Sequence, residues 1–229
     1  MELTVKDLVA LFGVPERTVY GWVRESGIPH YRVQDQYRFN RVELLEWAAA
    51  RGIALSPTAV HSDDSAVGFS LADVIEAGGI FHDVPGTTKM DVIAGVVRSM
   101  RLPEGLDTEF ILDVLLAREE LGSTGIGDGI AIPHARNPIV MRVQKPLIAL
   151  AFLAAPVDFG ALDGQPVHTV FTMITPTVRV HLSLLSRLSL ALRAEPWRQA
   201  IAARADRDQI LGTLRHVEAG WAQPSADKP

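Results

Sequence analysis

The sequence contains no cysteine among its 229 residues. This absence excludes a disulfide framework, a thiolate zinc site and a cysteine nucleophile, and it suits a reducing compartment. Any chemistry must therefore depend on other side chains. The residues show no motif for a metal ion or a cofactor, and we expect neither.

An excess of positive charge is also missing. The chain has 22 Lys and Arg residues against 27 Asp and Glu residues, which gives a formal net charge of −5. An overall basic field that could hold nucleic acid is therefore excluded, and any contact with DNA must be local.

Long apolar segments are missing as well. The longest apolar run, residues 147–155, has nine residues between two prolines, whereas a membrane helix needs about 20. The N-terminus lacks the charged start, apolar core and small-residue cleavage site of a secretory signal. We therefore expect a cytoplasmic protein without membrane insertion, and we expect the apolar run to form a buried strand.

Shifts in composition along the chain predict two domains. Residues 1–53 are rich in charge and in short apolar periods. Residues 54–69 carry no sustained helix or strand period and are predicted to be a linker. Residues 70–218 alternate helical segments with apolar strands, and residues 219–229 form a polar tail.

The larger segment predicts an α/β domain with a mixed parallel and antiparallel sheet flanked by helices. Apolar strands are expected at 79–84, 147–153 and 167–174. The Asp163-Gly164 turn between the last two is too short for a helical crossover, so part of the sheet must be antiparallel. Helices are expected after Thr87 or Thr88, after Asp107 or Thr108, and after Pro176. In the second of these, Phe110 is placed on the buried face and Gly122 in a left-handed C-terminal cap.

The most informative segment is residues 118–134, REELGSTGIGDGIAIPH. Its four glycines permit positive φ and let amide groups converge into a concavity that suits an anion. The spacing matches neither a P-loop nor a dinucleotide fingerprint, and no nucleophile elbow is present. A mobile turn is the alternative for glycines that stand alone. The candidate phosphate-binding loop comprises Gly122, Ser123, Thr124, Gly125, Gly127 and Gly129.

A short apolar stretch after these glycines presents Pro133 and His134, and the proline fixes φ beside the imidazole. Neutral imidazole is a good nucleophile near pH 7 because its ordinary pKa is about 6.5. A phosphoramidate formed on it stays reactive enough to pass the phosphoryl group onward. Such a carrier also needs donors for the charge on the phosphoryl group and a water-poor rim. His134 is therefore the candidate phosphoryl carrier.

The segment from Arg118 to His134 resembles the signature of enzyme IIA domains of the fructose/mannitol type in the bacterial phosphotransferase system, in particular the nitrogen-regulatory branch. The resemblance covers about residues 70–218 and extends to residues 156–166 and 180–185. It implies that a histidine-containing phosphocarrier protein phosphorylates His134 on its ε nitrogen, with Arg118 and His181 flanking the phosphoryl group. Ala135-Arg136 replaces the glycine that often follows the histidine, which affects partner docking more than chemistry.

Each flanking residue also has a purely structural interpretation. Arg118 in the last turn of a helix is favourable for the helix dipole, although its guanidinium also offers a planar fork of donors for phosphoryl oxygens. His181 on a leucine-rich helix resembles a half-buried structural histidine, yet its place near a helix N-terminus suits an anion. The other histidines, His168 among them, are predicted to be structural or solvent-exposed.

The N-terminal segment predicts a helix, a glycine turn and a second helix with Pro15 at its first position. A short β wing at 27–40 and a closing helix at 41–50 follow. The whole resembles the excisionase-like, MerR-related winged helix-turn-helix module. Its candidate DNA contacts are Arg17, Thr18, Tyr20 and Arg24 on the second helix and Arg32 and Arg38 in the wing.

The charge of this module does not decide whether its partner is DNA or a protein. Residues 1–52 contain seven basic and seven acidic residues, and a net charge of zero is poor for affinity driven by counterion release. Docking to a protein through the same fold is the alternative. If the module binds DNA, a single copy holds it weakly, so dimerisation or a partner is expected.

Three functions fit these observations. The first is a regulatory phosphoryl carrier, with a phosphohistidine intermediate, whose state is read by the DNA-binding module or by a regulated protein. The second is a transport component that passes the phosphoryl group to a permease subunit. The third is a scaffold that keeps the pocket without using it. No permease-like segment is present in the sequence, which favours regulation over transport. The presence of Arg118, His134 and His181 together argues against a scaffold that does not use the pocket.

Overall fold

The computed structural model describes residues 2–33, 35–51, 53, 56, 68–135 and 143–221. Its strands are β1 (Glu2–Leu3), β2 (Tyr31–Val33), β3 (Gln36–Asn40), β4 (Ile80–Val84), β5 (Gly125–Gly127), β6 (Ile130–Ala131), β7 (Leu147–Val157) and β8 (Val167–Ile174). Its helices are α1 (Val5–Phe12), α2 (Glu16–Glu25), α3 (Arg41–Ala50), α4 (Leu71–Gly78), α5 (Lys89–Ser99), α6 (Thr108–Glu120), α7 (Val178–Ala191), α8 (Glu195–Ala202) and α9 (Arg207–Trp221).

The N-terminal module begins with a capping box at α1. The Thr4 hydroxyl accepts from the Asp7 amide at 3.3 Å, and the Asp7 carboxylate accepts from the Thr4 amide at 2.8 Å. The bonds that the Asp7 carboxylate accepts from the amide and the hydroxyl of Thr4 lower the pKa of Asp7. Gly13 ends α1 in the left-handed conformation with φ 64°. Pro15 is the N-cap of α2 and not its first helical residue, with an extended ψ of 153°.

A small sheet and α3 complete this module. Strands β1, β3 and β2 pair antiparallel in that order, and the β2–β3 hairpin forms the predicted wing. Trp22 of α2 packs edge-on against Phe12 of α1 at 5.3 Å and against Trp47 of α3 at 5.4 Å between ring centroids. Such aromatic contacts stabilise beyond the area that they bury. The three helices therefore share one aromatic core.

The sheet of the larger domain has the order β4-β7-β8-β6-β5. Strands β4 and β7 run parallel, as do β6 and β8, whereas the β7–β8 and β5–β6 pairs are antiparallel. The predicted mixed α/β sheet is confirmed, including the antiparallel pair across the turn at residues 163–164.

Strand β7 separates two hydrophobic cores. Ile148, Leu150 and Phe152 face the core formed with α4, α7, α8 and α9, whereas Ala149 and Ala151 face the core formed with α5 and α6. Alternate residues of a strand point to opposite faces of the sheet. Because both faces are covered, the strand is a continuous apolar run, as expected for a buried strand.

The helix ends follow the predicted caps with two exceptions. Thr88 caps α5 through a box with Asp91, whose pKa these bonds lower, and Asp107 caps α6. The prediction for Gly122 is wrong, since the C-cap of α6 is Leu121, which is right-handed with φ −71°, and the φ of Gly122 is 158°, outside the left-handed helical region. The prediction for Phe110 is also wrong, since 46% of it is exposed. The buried stripe of α6 contains Ile111, Leu112, Leu115 and Glu119, and position 110 is rotated away from it.

The two parts of the chain are in contact. Helix α3 packs against α7 and against β5, and one continuous core cluster contains residues from both parts. The Ser56 amide also donates to the Leu11 carbonyl at 2.7 Å. Of the predicted linker, residues 56, 68 and 69 are described. Helix α9 continues to Trp221, past the predicted domain boundary at residue 218.

Candidate functional site

The glycine-rich segment folds into a β-hairpin. Strands β5 and β6 pair antiparallel, and Asp128 and Gly129 connect them with φ of 51° and 69°. Two successive positive φ values are typical of a type I′ turn, whose twist matches that of a hairpin. The Asp163 carboxylate accepts from the Asp128 amide at 2.9 Å and attaches the turn to the loop before β8.

Gly129 also lies under the ring of His168. A Cβ added at Gly129 would stand 2.3 Å from His168 Nε2, and the Gly129 carbonyl accepts from the amides of His168 and Thr169. Burial, with a smaller contribution from Arg204, lowers the pKa of His168. The neutral ring is therefore favoured in the fold, and stability falls as the pH drops from the unfolded pKa through the folded one.

We expect Gly129→Ala to destabilise the fold by about 1–3 kcal/mol, because alanine meets both a strained φ and the His168 ring. Gly164→Ala is the matched control, since Gly164 has the same φ of 69° but nothing within 4 Å of an added Cβ. Denaturant unfolding of both variants measures the difference. An equal loss of stability in both variants would leave no role for the contact with His168.

Glu119 and Lys89 were not predicted, yet they anchor the segment before the hairpin. Glu119 is 1% exposed. Its carboxylate accepts from the Thr124 hydroxyl at 2.6 Å, from the Thr124 amide at 3.2 Å and from Lys89 Nζ at 3.3 Å. The signal in the sequence is the spacing of positions 112, 115 and 119, which places Glu119 on the buried stripe of α6.

Glu119→Ala should lower the free energy of unfolding by about 1–3 kcal/mol, because the buried amide and hydroxyl of Thr124 lose their acceptor. The neighbouring Glu120→Ala is the control, since Glu120 is exposed. Urea unfolding followed by circular dichroism compares the two. If both variants are as stable as the wild type, the carboxylate of Glu119 does not support this segment.

Several amides of the predicted phosphate-binding loop donate within the chain. The Thr124 amide donates to Glu119, the Gly125 amide to the Ser123 hydroxyl at 3.0 Å, and the Asp128 amide to Asp163. These bonds support the hairpin. Binding of an anion by the segment stays a prediction.

His134 directly follows the hairpin. Its Nδ1 lies 2.7 Å from the Ile132 carbonyl oxygen. A carbonyl oxygen only accepts, so Nδ1 carries the proton and the neutral ring holds its lone pair on Nε2. The ring is fixed in this orientation and 5% of the residue is exposed. The arrangement suits a nucleophile at Nε2.

The sheet brings His181 to His134. His134 bridges parallel to Met173 of β8, and the Met173 amide donates to the Pro133 carbonyl at 2.8 Å. His134 therefore lies near the carboxyl end of β8, where the chain turns into α7. Thr177 caps that helix, and His181 lies in its first turn, 1% exposed. The two imidazole rings lie 5.0 Å apart between centroids, so the predicted pair is adjacent.

Arg118 lies in the last turn of α6, half-buried. Its guanidinium donates to the Gly122 carbonyl at 2.9 Å. This bond holds the side chain against the start of the glycine-rich segment. Contact between Arg118 and a phosphoryl group stays a prediction. Of the Ala135-Arg136 pair that replaces the usual glycine after His134, Arg136 lies outside the described residues.

The candidate DNA contacts lie on α2 and in the wing. Arg17, Tyr20 and Arg24 are exposed, and Thr18 is half-buried. Tyr37, which was not predicted, connects the two elements. Its ring lies 6.1 Å from that of Tyr20 and 4.9 Å below the guanidinium carbon of Arg32. The Tyr37 hydroxyl accepts from Arg32 at 3.0 Å and raises the pKa of Arg32. Arg38 donates to Gln36 at 2.8 Å.

Two other kinds of feature are missing from the described ranges. No group of three or more histidine or acidic side chains there could hold a metal ion. No described helix combines the length and the apolar character needed to cross a membrane.

Comparison with known proteins identifies both parts of the chain. The family model of the phosphoenolpyruvate-dependent sugar phosphotransferase system, EIIA 2, matches residues 73–217, and a helix-turn-helix domain model matches residues 2–52. The nitrogen regulatory protein of Pseudomonas aeruginosa is 40% identical over 154 residues, which are 66% of this chain and 97% of that protein. The nitrogen regulatory protein of Bradyrhizobium diazoefficiens is 36% identical over 146 residues, 63% of this chain and 94% of that protein.

A solved structure shows the same fold. The crystal structure of nitrogen regulatory protein IIA-Ntr from Neisseria meningitidis superposes with a TM-score of 0.55 and is 27% identical, covering 63% of this chain and 98% of that one. The resemblance predicted from residues 118–134 is thereby confirmed. The chain belongs to the EIIA 2 family of the phosphoenolpyruvate-dependent sugar phosphotransferase system, and it carries a helix-turn-helix domain before the EIIA region.

Proposed function

We propose that the protein is a regulatory phosphoryl carrier that receives its phosphoryl group on His134 from a histidine-containing phosphocarrier protein. The observation that carries this proposal is the hydrogen bond from His134 Nδ1 to the Ile132 carbonyl. It leaves the lone pair on Nε2, beside His181 at the start of α7. The phosphocarrier as phosphoryl donor and the cytoplasm as the location of the protein are both parts of this proposal.

The transfer is a displacement at phosphorus. The lone pair of His134 Nε2 attacks the phosphorus of the donor's phosphohistidine, the bond from phosphorus to the donor nitrogen breaks, and that nitrogen keeps the electron pair. A new bond joins phosphorus to Nε2. The proton on Nδ1 stays hydrogen-bonded to Ile132, so the carbonyl stabilises the positive charge that develops on the ring.

Three groups are proposed to stabilise the transferred oxygens. The first turn of α7 presents backbone amides at the positive end of the helix dipole. His181 lies in that turn, against the ring of His134. Arg118 supplies a charged fork of donors. The Glu119 network and the hairpin hold these elements in place.

The direct test mixes the full chain with phosphoenolpyruvate, enzyme I and the phosphocarrier protein. We expect one phosphoryl group per chain that is labile in acid and stable in alkali, as a phosphoramidate is. An acid-stable modification, or no transfer at all, would contradict the proposal.

Arg118→Ala should keep the fold but slow the transfer by about tenfold or more, because charge-assisted donors to the phosphoryl oxygens are lost. Arg98→Ala, which removes an exposed arginine from α5, is the control. Rapid-quench kinetics of phosphorylation compare the two. Unchanged rates in Arg118→Ala would contradict a role of Arg118 in phosphoryl transfer and would leave it a structural role.

The helix-turn-helix domain favours regulation over sugar transport, and the relatives described above are named nitrogen regulatory proteins. We infer that this domain binds DNA through α2 and the wing, because Arg17, Tyr20 and Arg24 are exposed on α2. Tyr20 also lies beside Tyr37 of the wing, and Arg32 lies over the Tyr37 ring. Transfer to a permease subunit, without any DNA binding, would favour transport.

A further inference from the structure

The helix-turn-helix domain lies against the elements that surround His134. Helix α3 packs on α7, which carries His181 in its first turn, and on β5. Strand β5 is the outer strand of the hairpin that leads to His134. One helix of the helix-turn-helix domain thus contacts two elements of the domain that carries His134.

Strand β5 is also an edge strand of its sheet, so one side of it is open for pairing or packing. Its residues are Gly125, Ile126 and Gly127. Because glycine has no side chain, Ile126 is the one residue of β5 whose side chain can pack against another element. Ile126 is half-buried and packs against the core cluster that contains Leu44, Leu45 and Ala48 of α3. The EIIA region contributes an apolar contact at this edge.

Helix α2 keeps exposed side chains in this arrangement. Arg17, Tyr20 and Arg24 of α2 are exposed while α3 is packed against the EIIA region. The module is therefore attached through its closing helix, and the α2 side chains expected to contact DNA remain exposed.

His134 and His181 are 5% and 1% exposed in this arrangement. Transfer between two proteins requires the donor phosphorus to approach within about 3–3.5 Å of Nε2. A donor protein must therefore approach along the elements next to the two rings, which are α7, with His181 in its first turn, and the β5–β6 hairpin that leads to His134; these elements are called the rim of the site.

We propose that α3 is a docking surface for the rim of the His134 site, and that the docked helix-turn-helix domain and the phosphocarrier protein exclude each other there. The partner in this inference rests on the proposed function. Binding of the phosphocarrier then releases α3, and the position of the DNA-binding module reports whether the phosphotransferase system is engaging His134. By reciprocity, anything that holds the module in place weakens phosphocarrier binding by the same factor.

The test measures the distance between the two domains in the full chain. Because the chain has no cysteine, Glu25→Cys and Gln209→Cys provide the only sites for spin labels, and both positions are exposed. The measurements use His134→Gln, so that no phosphoryl transfer can occur. We expect one narrow distance distribution for the chain alone.

Two perturbations should then separate the labels. Ile126→Ser removes the apolar contact at β5, and saturating phosphocarrier protein competes for the rim, so each should broaden and lengthen the distribution. Phe110→Ser, on the exposed side of α6, is the control and should leave it narrow. With His134 present, Ile126→Ser should also speed phosphorylation at limiting phosphocarrier by about 5- to 150-fold, the range typical of coupled sites.

The outcomes distinguish the inference from the proposed function. A broad distribution in the chain alone overturns the docking. A distribution that stays narrow while calorimetry shows bound phosphocarrier overturns the exclusion. If the labels separate on Ile126→Ser but no phosphocarrier binds, the proposed donor is wrong and the docking contact stands. If phosphocarrier binding separates the labels but His134 is never phosphorylated, the exclusion stands and the phosphoryl-carrier function fails.

Discussion

Replacement of His134 by alanine should abolish phosphorylation of the protein by the phosphotransfer mixture. The variant lacks Nε2, the nucleophile that carries the lone pair of the ring because the Nδ1 proton is donated to the Ile132 carbonyl. Neighbouring groups do not substitute for it, because His181 is attached to a different element and only the His134 ring is oriented by Ile132. The expected result is complete loss of the acid-labile label.

The matched control is His216→Ala, which removes an exposed histidine from α9 and should be labelled like the wild type. Circular dichroism establishes that both variants fold. Labelling of His134→Ala at the wild-type level would assign the phosphoryl group to another residue. His181→Ala distinguishes the roles of the two histidines. This variant should still be labelled, but more slowly than the wild type.

Patterns with a local physical cause were predictable from the sequence. The apolar run at 147–155 predicted a strand buried on both faces, and β7 is such a strand. The short connection at residues 163–164 predicted the antiparallel pairing of β7 with β8. The caps at Thr88 and Asp107 follow from side chains that accept from amides three residues or fewer away. Each of these features depends on neighbours in the chain.

Features that depend on distant residues were not predictable in the same way. The burial of Glu119 depends on Lys89, which lies 30 residues earlier on another helix. The need for glycine at position 129 arises from the ring of His168 as well as from the turn. The proximity of His134 and His181 follows from the parallel pairing of β6 with β8. In the sequence this pair was implied by the family resemblance and not by spacing.

The contact between α3 and the EIIA region is the largest departure from the sequence-based expectation. A predicted linker without regular structure gives no reason to expect a contact between the two domains. The sequence of α3 nevertheless indicates a second packing partner. Its apolar residues Leu44, Leu45, Trp47 and Ala48 are all buried, and they span a wider arc of the helix than the contact with Trp22 of α2 covers. A helix that is apolar over a wide arc needs more than one packing partner.

Loss of both Arg17 and Arg24 should weaken DNA binding by about 5- to 150-fold for each arginine, since each contact is worth about 1–3 kcal/mol. Both side chains are exposed on α2. If the two arginines contact phosphates, the slope of log K against log salt should also decrease by about 2, because fewer counterions are released. The duplexes for this measurement are selected on the full chain from a random-sequence pool at low salt.

The control removes the same charge from elsewhere on the chain. Arg98→Ala combined with Arg101→Ala takes two exposed arginines from the EIIA region, and should change neither the affinity nor the salt slope appreciably. Fluorescence anisotropy over a salt series compares both double variants with the wild type. Equal losses in the two would mean that binding depends on overall charge and not on α2. If the selection yields no duplex that the full chain retains even at low salt, the module is instead a protein-docking domain, with the exposed face of α2 as its candidate surface.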